Sequence, residues 1–181
     1  MNRTIVIALF GAIALAQLAV PAGMILRRET TLSQGQEYKI RTRPVDPYDA
    51  FRGRYVWLGF DMTAVPAPSG ARMALGQKAY AVLETDSEGF VVVKSVSFTK
   101  PVTGAYLKVR VRPGDLGKAV VIWPFDRYYM EESAAPQAEQ AYRQRARSTS
   151  AYITVRVLDG TGVITGLYLD GKPIEQAIQA P

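Results

Sequence analysis

Asp46 and Asp49 sit three positions apart in RPVDPYDAFRGRYVWLGF (residues 43–60), with Arg52 and Arg54 close behind them. Carboxylates at that spacing can cap a turn, hold a hard cation or work as an acid–base pair. A calcium or magnesium site needs several oxygen ligands. One D-P-x-D stretch is a poor count, so capping and ion pairing with Arg52 or Arg54 is the favoured reading, and no metal or cofactor is expected. A second constellation joins Arg52 to Glu131 or Glu132 and to Tyr128 and Tyr129, within DRYYMEES (126–133). Exposed tyrosine and arginine are typical anchors for a binding partner, whereas buried tyrosine is core. The sequence leaves both readings open.

Much other chemistry is excluded. The 181 residues contain neither cysteine nor histidine. That removes disulfides, thiol nucleophiles, Ser-His pairs and the usual nitrogen and sulfur ligands of zinc or copper. The net charge of +6 also says little about nucleic acid. Taking Arg3, Arg27 and Arg28 from the 22 basic residues leaves 19 against 16 acidic ones, a net +3 over residues 29–181.

The elements that must position these residues are mostly strands. AYAVLE (79–84), GFVVVKSVSF (89–98), AYLKVRVR (105–112), AVVIW (119–123), AYITVRVL (151–158) and GVITGLYL (162–169) are β-branched or aromatic and bounded by turn residues. Asp159-Gly160-Thr161-Gly162, between two of these runs, reads as a hairpin and Asp170-Gly171 as the end of its second strand. The fold class is mainly β: an antiparallel sandwich or barrel-like domain with one short surface helix. Lys39-Arg41-Arg43 and Lys108-Arg110-Arg112 alternate with apolar residues. Each trio therefore shares one face of a strand; a solvated outer face is the plain reading, and contact with anionic lipid headgroups the alternative. Residues 64–76, AVPAPSGARMALG, read as a surface loop.

The helix is expected in SAAPQAEQAYRQRARS, with Ser133 as N-cap, Pro136 in the first turn and Glu139 four before Arg143. Its apolar side is only Ala135, Ala138, Tyr142 and Ala146, which places it on the rim of the sheet. In the opening stretch, Pro44 and Pro47 hold Arg43 and Asp46 extended. Asp49 can then cap one turn, DAFRG, which Gly53 ends in a left-handed conformation. The strand that follows has Tyr55 and Trp57 on one face and Val56, Leu58 and Phe60 on the other, so both faces are apolar and the strand is central.

At the N-terminus no charge occurs between Arg3 and Arg27. A helix of that length crosses a hydrocarbon core of roughly 30 Å, so residues 1–28 read as an uncleaved transmembrane anchor and 29–181 as the β-rich domain. A signal peptide is the competing reading, with Ala16 or Ala22 ending small-residue cleavage sites. Lys and Arg counts are nearly balanced across the helix and slightly favour a cytoplasmic domain.

PVDPYDAFRGRYVWLGF resembles the membrane-anchored bacterial family named for a G-D-Y-x-x-L-x-Y signature, carried here by Gly53, Arg54, Tyr55, Leu58 and Phe60. Arg54 stands where the signature has aspartate and Phe60 where it has the final tyrosine. The N-terminal anchor and DRYYMEES are similar landmarks. The resemblance implies a single-pass protein of the bacterial inner membrane whose domain faces the periplasm or cell exterior. It also implies an accessory or binding module for a multi-pass membrane partner, with no established reaction. Asp46, Asp49, Arg52, Arg54, Tyr55, Tyr128, Tyr129, Glu131 and Glu132 are the candidate binding residues. A weaker similarity, of FRGRYVWL followed by YLKVRVRPGDLG, is to membrane-anchored signal peptidases. It implies the alternative of a hydrolase in which a neutral lysine activates a serine. The Ser-Met-x-Pro segment of such enzymes is missing; Ser33 and Lys108 would have to serve.

Overall fold

A computed structural model describes residues 3–44, 55–60, 63–68, 73–131, 133–145 and 150–178 of the chain. The uncharged N-terminal run forms helix α1, Arg3–Gln34, which is long and apolar enough to cross a membrane once. Its apolar window is not buried against the rest of the chain. Pro21 lies inside it; the missing N–H costs one backbone hydrogen bond, a change that membrane-spanning helices tolerate.

The last turns of α1 are built differently. Thr31 is buried and its hydroxyl donates to the Arg27 carbonyl at 3.0 Å. Arg156 Nη1 donates to the Leu32 carbonyl at 2.8 Å, satisfying one of the acceptors that a helix end leaves open. Gly35 follows at once. A Cβ there would strike the Thr31 carbonyl and come within 3.1 Å of the Val157 nitrogen, so the helix and the first strand meet without a linker.

Twelve strands follow among the described residues. Strand β1 (Gln36–Arg41) pairs with β10 (Ala151–Leu158), which pairs with β11 (Thr161–Leu169) and then the short β12 (Lys172–Pro173). A second antiparallel sheet runs β4 (Ala64–Pro66), β8 (Lys118–Ile122), β7 (Tyr106–Pro113), β5 (Gln77–Thr85), β6 (Val91–Ser97). Two contacts join them into a nearly closed barrel: Lys39 of β1 bridges Phe90 beside β6, and Leu107 of β7 bridges Gly160 in the β10–β11 turn. The Lys108 N–H donates to the Gly160 carbonyl at 2.9 Å. The third sheet, β2 (Arg43–Pro44), β3 (Tyr55–Gly59), β9 (Arg127–Tyr129), has β3 in its middle.

The expected alternation decides what is inside. Ala79, Ala81 and Leu83 of β5 and Leu107, Val109 and Val111 of β7 are buried, while Lys78, Lys108 and Arg110 face out. Asp159 and Gly160 take φ of 47° and 74°, the doubly left-handed turn that matches strand twist in a two-residue hairpin. Residues 64–66, expected in a loop, instead form edge strand β4 on β8. Pro66 fits there because an edge strand has an N–H side free of ladder bonds.

Helix α2, Ala135–Arg145, is the expected short helix. Ala135, Ala138 and Tyr142 are all buried, and the helix packs across β3 and against α3, Ile174–Ala177. A thin apolar stripe suffices because two alanines let the backbones approach and one tyrosine fills the space. Ser133 does not cap the helix: its hydroxyl bonds Glu131 Oε1 at 3.0 Å, and the Ala134 and Ala135 N–H groups donate to the Glu131 backbone carbonyl. Ala146 and the DAFRG turn lie outside the described residues.

Burial pushes the Tyr142 phenol up to about 12, partly offset by the neighbouring Thr42 hydroxyl. A raised folded value favours the neutral phenol, so its stabilisation is complete below pH 10 and is lost as pH rises from 10 towards 12. Tyr142→Phe in the full chain should remove on the order of 2–3 kcal/mol of the alkaline loss while leaving neutral stability nearly unchanged. Denaturant melts at pH 7 and pH 11.5 check this; equal alkaline sensitivity in both proteins would refute it. Barrel closure gives a second expectation. A Cβ on Gly160 would lie 2.6 Å from Tyr106 Cε2, whereas at Gly171, with a similar φ of 76°, it meets nothing within 4 Å. Gly171→Ala should cost about 1 kcal/mol, and Gly160→Ala about 2–4 kcal/mol through added overpacking.

Candidate functional site

The antiparallel register of β3 and β9 sorts the tyrosines. Tyr55 lies opposite Tyr129, Val56 opposite Tyr128, and Trp57 opposite Arg127. Residues two apart share a face, so Tyr55, Trp57, Arg127 and Tyr129 form one cluster and Tyr128 points the other way with Val56. The Leu58 N–H donates to the Asp126 carbonyl at 2.8 Å and extends the pairing.

On the first face the Arg127 guanidinium carbon stands 4.9 Å from the Tyr55 ring centre and 4.8 Å from that of Trp57. Both are cation–π distances. Tyr55 meets Trp57 edge-on at 5.7 Å and Tyr129 at 5.8 Å. Tyr129 beside it holds the Arg127 guanidinium pKa above its ordinary value, opposed by burial and aided by the charges of Asp126 and Tyr55. Arg127 Nε is buried without a hydrogen-bond partner, and Asp126 Oδ1 stands 3.8 Å away. Tyr129 is the exposed member, at 66%. Arg28, near the base of α1, joins Arg127, Tyr129, Phe125 and Ile164 around a cavity of about 220 Å³. Cations held on aromatic faces, beside an exposed tyrosine, suit recognition rather than bond making.

On the opposite face Tyr128 is engaged internally. Its hydroxyl donates to Glu175 Oε1 at 2.7 Å. Burial, then this bond, raises the phenol well above its ordinary value. Leu58 is buried and Phe60 packs on Trp123 and Phe125, with ring centres 5.5 and 5.8 Å away. A phenylalanine suits that all-ring setting.

Of the residues expected to form a site, Tyr55 and Tyr129 come together. Tyr128 lies behind them, and exposed Glu131 follows β9, bonded to Ser133. Asp46, Asp49, Arg52, Arg54 and Glu132 lie outside the described residues. Ser33 donates to the carbonyls of Glu29 and Thr30 in its own helix, and Lys108 lies on the outer face of β7; no hydrogen bond joins them among the described residues. Sequence reasoning missed Trp57, Arg127 and Arg28. The usable signal was spacing: Tyr55-x-Trp57 and Arg127-x-Tyr129 each put two recognition residues on one strand face.

The sequence profile of the GDYXXLXY protein family matches residues 17–167, from the second half of α1 to Leu167 in β11. The chain belongs to this family. No curated protein and no solved structure matches it. In this GDYXXLXY protein, the signature positions that are described have separate duties: Tyr55 builds the exposed cluster, Leu58 fills the core and Phe60 joins the aromatic triad.

Tyr128→Phe should lower the stability of the full chain by about 1.5–3 kcal/mol, the usual worth of a hydrogen bond to a charged group. Tyr129→Phe should change it by less than about 0.5 kcal/mol. Chemical melts of the two variants side by side test the inward and outward assignments; equal effects would reverse them.

Proposed function

We propose that this GDYXXLXY protein is a membrane-anchored extracytoplasmic accessory module. It stays attached through α1 and uses the Tyr55–Trp57–Arg127–Tyr129 cluster, with Glu131 and the Asp46–Arg54 segment that precedes Tyr55 in the sequence, to hold a multi-pass membrane partner. The observation that carries this reading is the junction between α1 and the barrel. Because Thr31 and Leu32 are fixed against β10 and β11 with no linker, the cluster is held beside Arg28, directly after the apolar part of the helix. A partner lying in the same membrane would present its surface loops at that height. Arginine and tyrosine are the residue types that carry most binding energy at protein interfaces. Docking on a module that is already rigid avoids the ordering cost of a flexible tether. The family resemblance supports the outward orientation, which the balanced charge around α1 does not decide.

Leu75 is 79% exposed in a chain without cysteine, so Leu75→Cys gives one clean reporter. The expected result is modification of intact cells by a membrane-impermeant thiol reagent; modification only after the inner membrane is breached would overturn the orientation. A mature N-terminus at Gln17 or Gly23 would overturn the retained anchor. For the partner, the double variant Arg127→Ala/Tyr129→Ala should remain folded and lose at least tenfold of the membrane protein that co-purifies with the full chain. Full retention by the folded variant would sink the module reading.

A further inference from the structure

A larger cavity, about 770 Å³, opens on the outer face of β5, β7 and β8. Its cations come from strand register. Lys78 of β5 lies directly opposite Arg110 of β7, and the adjacent outward pair is Tyr80 with Lys108. Like charges placed directly opposite on neighbouring strands are destabilising. Among the described strand pairs they are the exception. Elsewhere Lys94 meets Glu84 at 3.1 Å, and Arg41 meets Asp86 at 2.7 Å and Glu88 at 2.9 Å. Among the described residues none of Lys78, Lys108 and Arg110 makes an ion pair; Arg110 Nη1 donates to the Gly76 carbonyl at 3.0 Å. Among the described residues the one carboxylate on the cavity wall, Asp126, lies 3.8 Å from Arg127.

The remaining wall is apolar, formed by Tyr80, Phe98, Ile122, Trp123 and Pro124. A site lined by three cations and by rings suits an anion joined to an apolar body. Its volume lies within the range of small-molecule sites. Its position narrows the choice. Pro124 and Asp126 line both this cavity and the smaller one that contains Arg28. Arg28 follows Arg27 at the end of the apolar stretch of α1, the end at which a membrane-spanning helix meets headgroups.

We propose that this cavity binds one anionic phospholipid, its phosphate among Lys78, Lys108 and Arg110 and the upper part of its body against Tyr80, Phe98 and Trp123. The bound anion relieves the repulsion between the facing cations, so the lipid also stabilises the barrel. The site is separate from the Arg127 cluster and does not depend on a protein partner. To test it, the full chain is released from nanodiscs containing equal phosphatidylglycerol and phosphatidylcholine, and bound lipid is counted by native mass spectrometry. One phosphatidylglycerol per chain is expected. Lys78→Gln/Lys108→Gln/Arg110→Gln should reduce its retention at least tenfold with the circular dichroism spectrum unchanged, and Lys78→Arg/Lys108→Arg should keep it. Equal retention of phosphatidylcholine, or undiminished retention by the folded triple variant, would overturn the proposal. Displacement by glycerol phosphate at matching concentration would assign the site to soluble phosphate esters and reject the lipid. Displacement by a glutamate-rich peptide would likewise reassign it to an acidic polypeptide.

Discussion

The seat of α1 on the β10–β11 hairpin is the constraint from which the rest of the arrangement follows. A helix end leaves carbonyls without partners, and here the side chain of Arg156, far along the chain, serves one of them at Leu32. Thr31 is buried under the same contact, and Gly35 permits a backbone approach that a Cβ would prevent. Through these residues a helix able to cross a membrane and a barrel become one piece. The barrel strands that meet α1 are therefore set above the apolar segment by covalent geometry and packing, not by a linker of variable length.

Closure of the barrel is the second condition, and it depends on the tip of the same hairpin. Asp159 and Gly160 turn the chain tightly enough for the Gly160 carbonyl to accept from Lys108, at a part of β7 not paired with β8. β10 and β11 thus receive the helix on one side and complete the barrel on the other. The third sheet fills a different need. Its middle strand β3 carries α2 over Val56 and Leu58 and offers Tyr55 and Trp57 to Arg127, so one five-residue strand serves both core and surface.

The cations of these two described clusters are held in different ways. Arg127 lies against rings, where the π faces offset part of its lost hydration. Lys78, Lys108 and Arg110 face water and one another across a strand pair, with the rings of Tyr80 and Trp123 on the cavity wall beside them. Both clusters border the short segment Trp123–Arg127, which links β8 to β9 and passes close to Arg28. The chemistry of the surface is concentrated where the chain leaves the barrel and approaches the helix base.

Periodicity carried most of the fold in plain view. Alternation of two separates inside from outside on β5, β7 and β10, Asp-Gly pairs mark both turns around β11, and the uncharged run at the N-terminus declares its helix. These are local signals, set by side-chain direction and backbone preference within a few residues. Which tyrosine faces the core was not legible, because Tyr128 and Tyr129 differ only in the register with which β9 meets β3. The apolar stripe of α2 was legible, but only the nearness of β3 shows what that stripe packs against. Arg28, Arg127 and the facing pair Lys78–Arg110 became neighbours through contacts between distant segments. Composition and spacing determine which residues share a strand face; only tertiary pairing decides which faces meet, because that choice depends on long-range packing absent from any local stretch of chain.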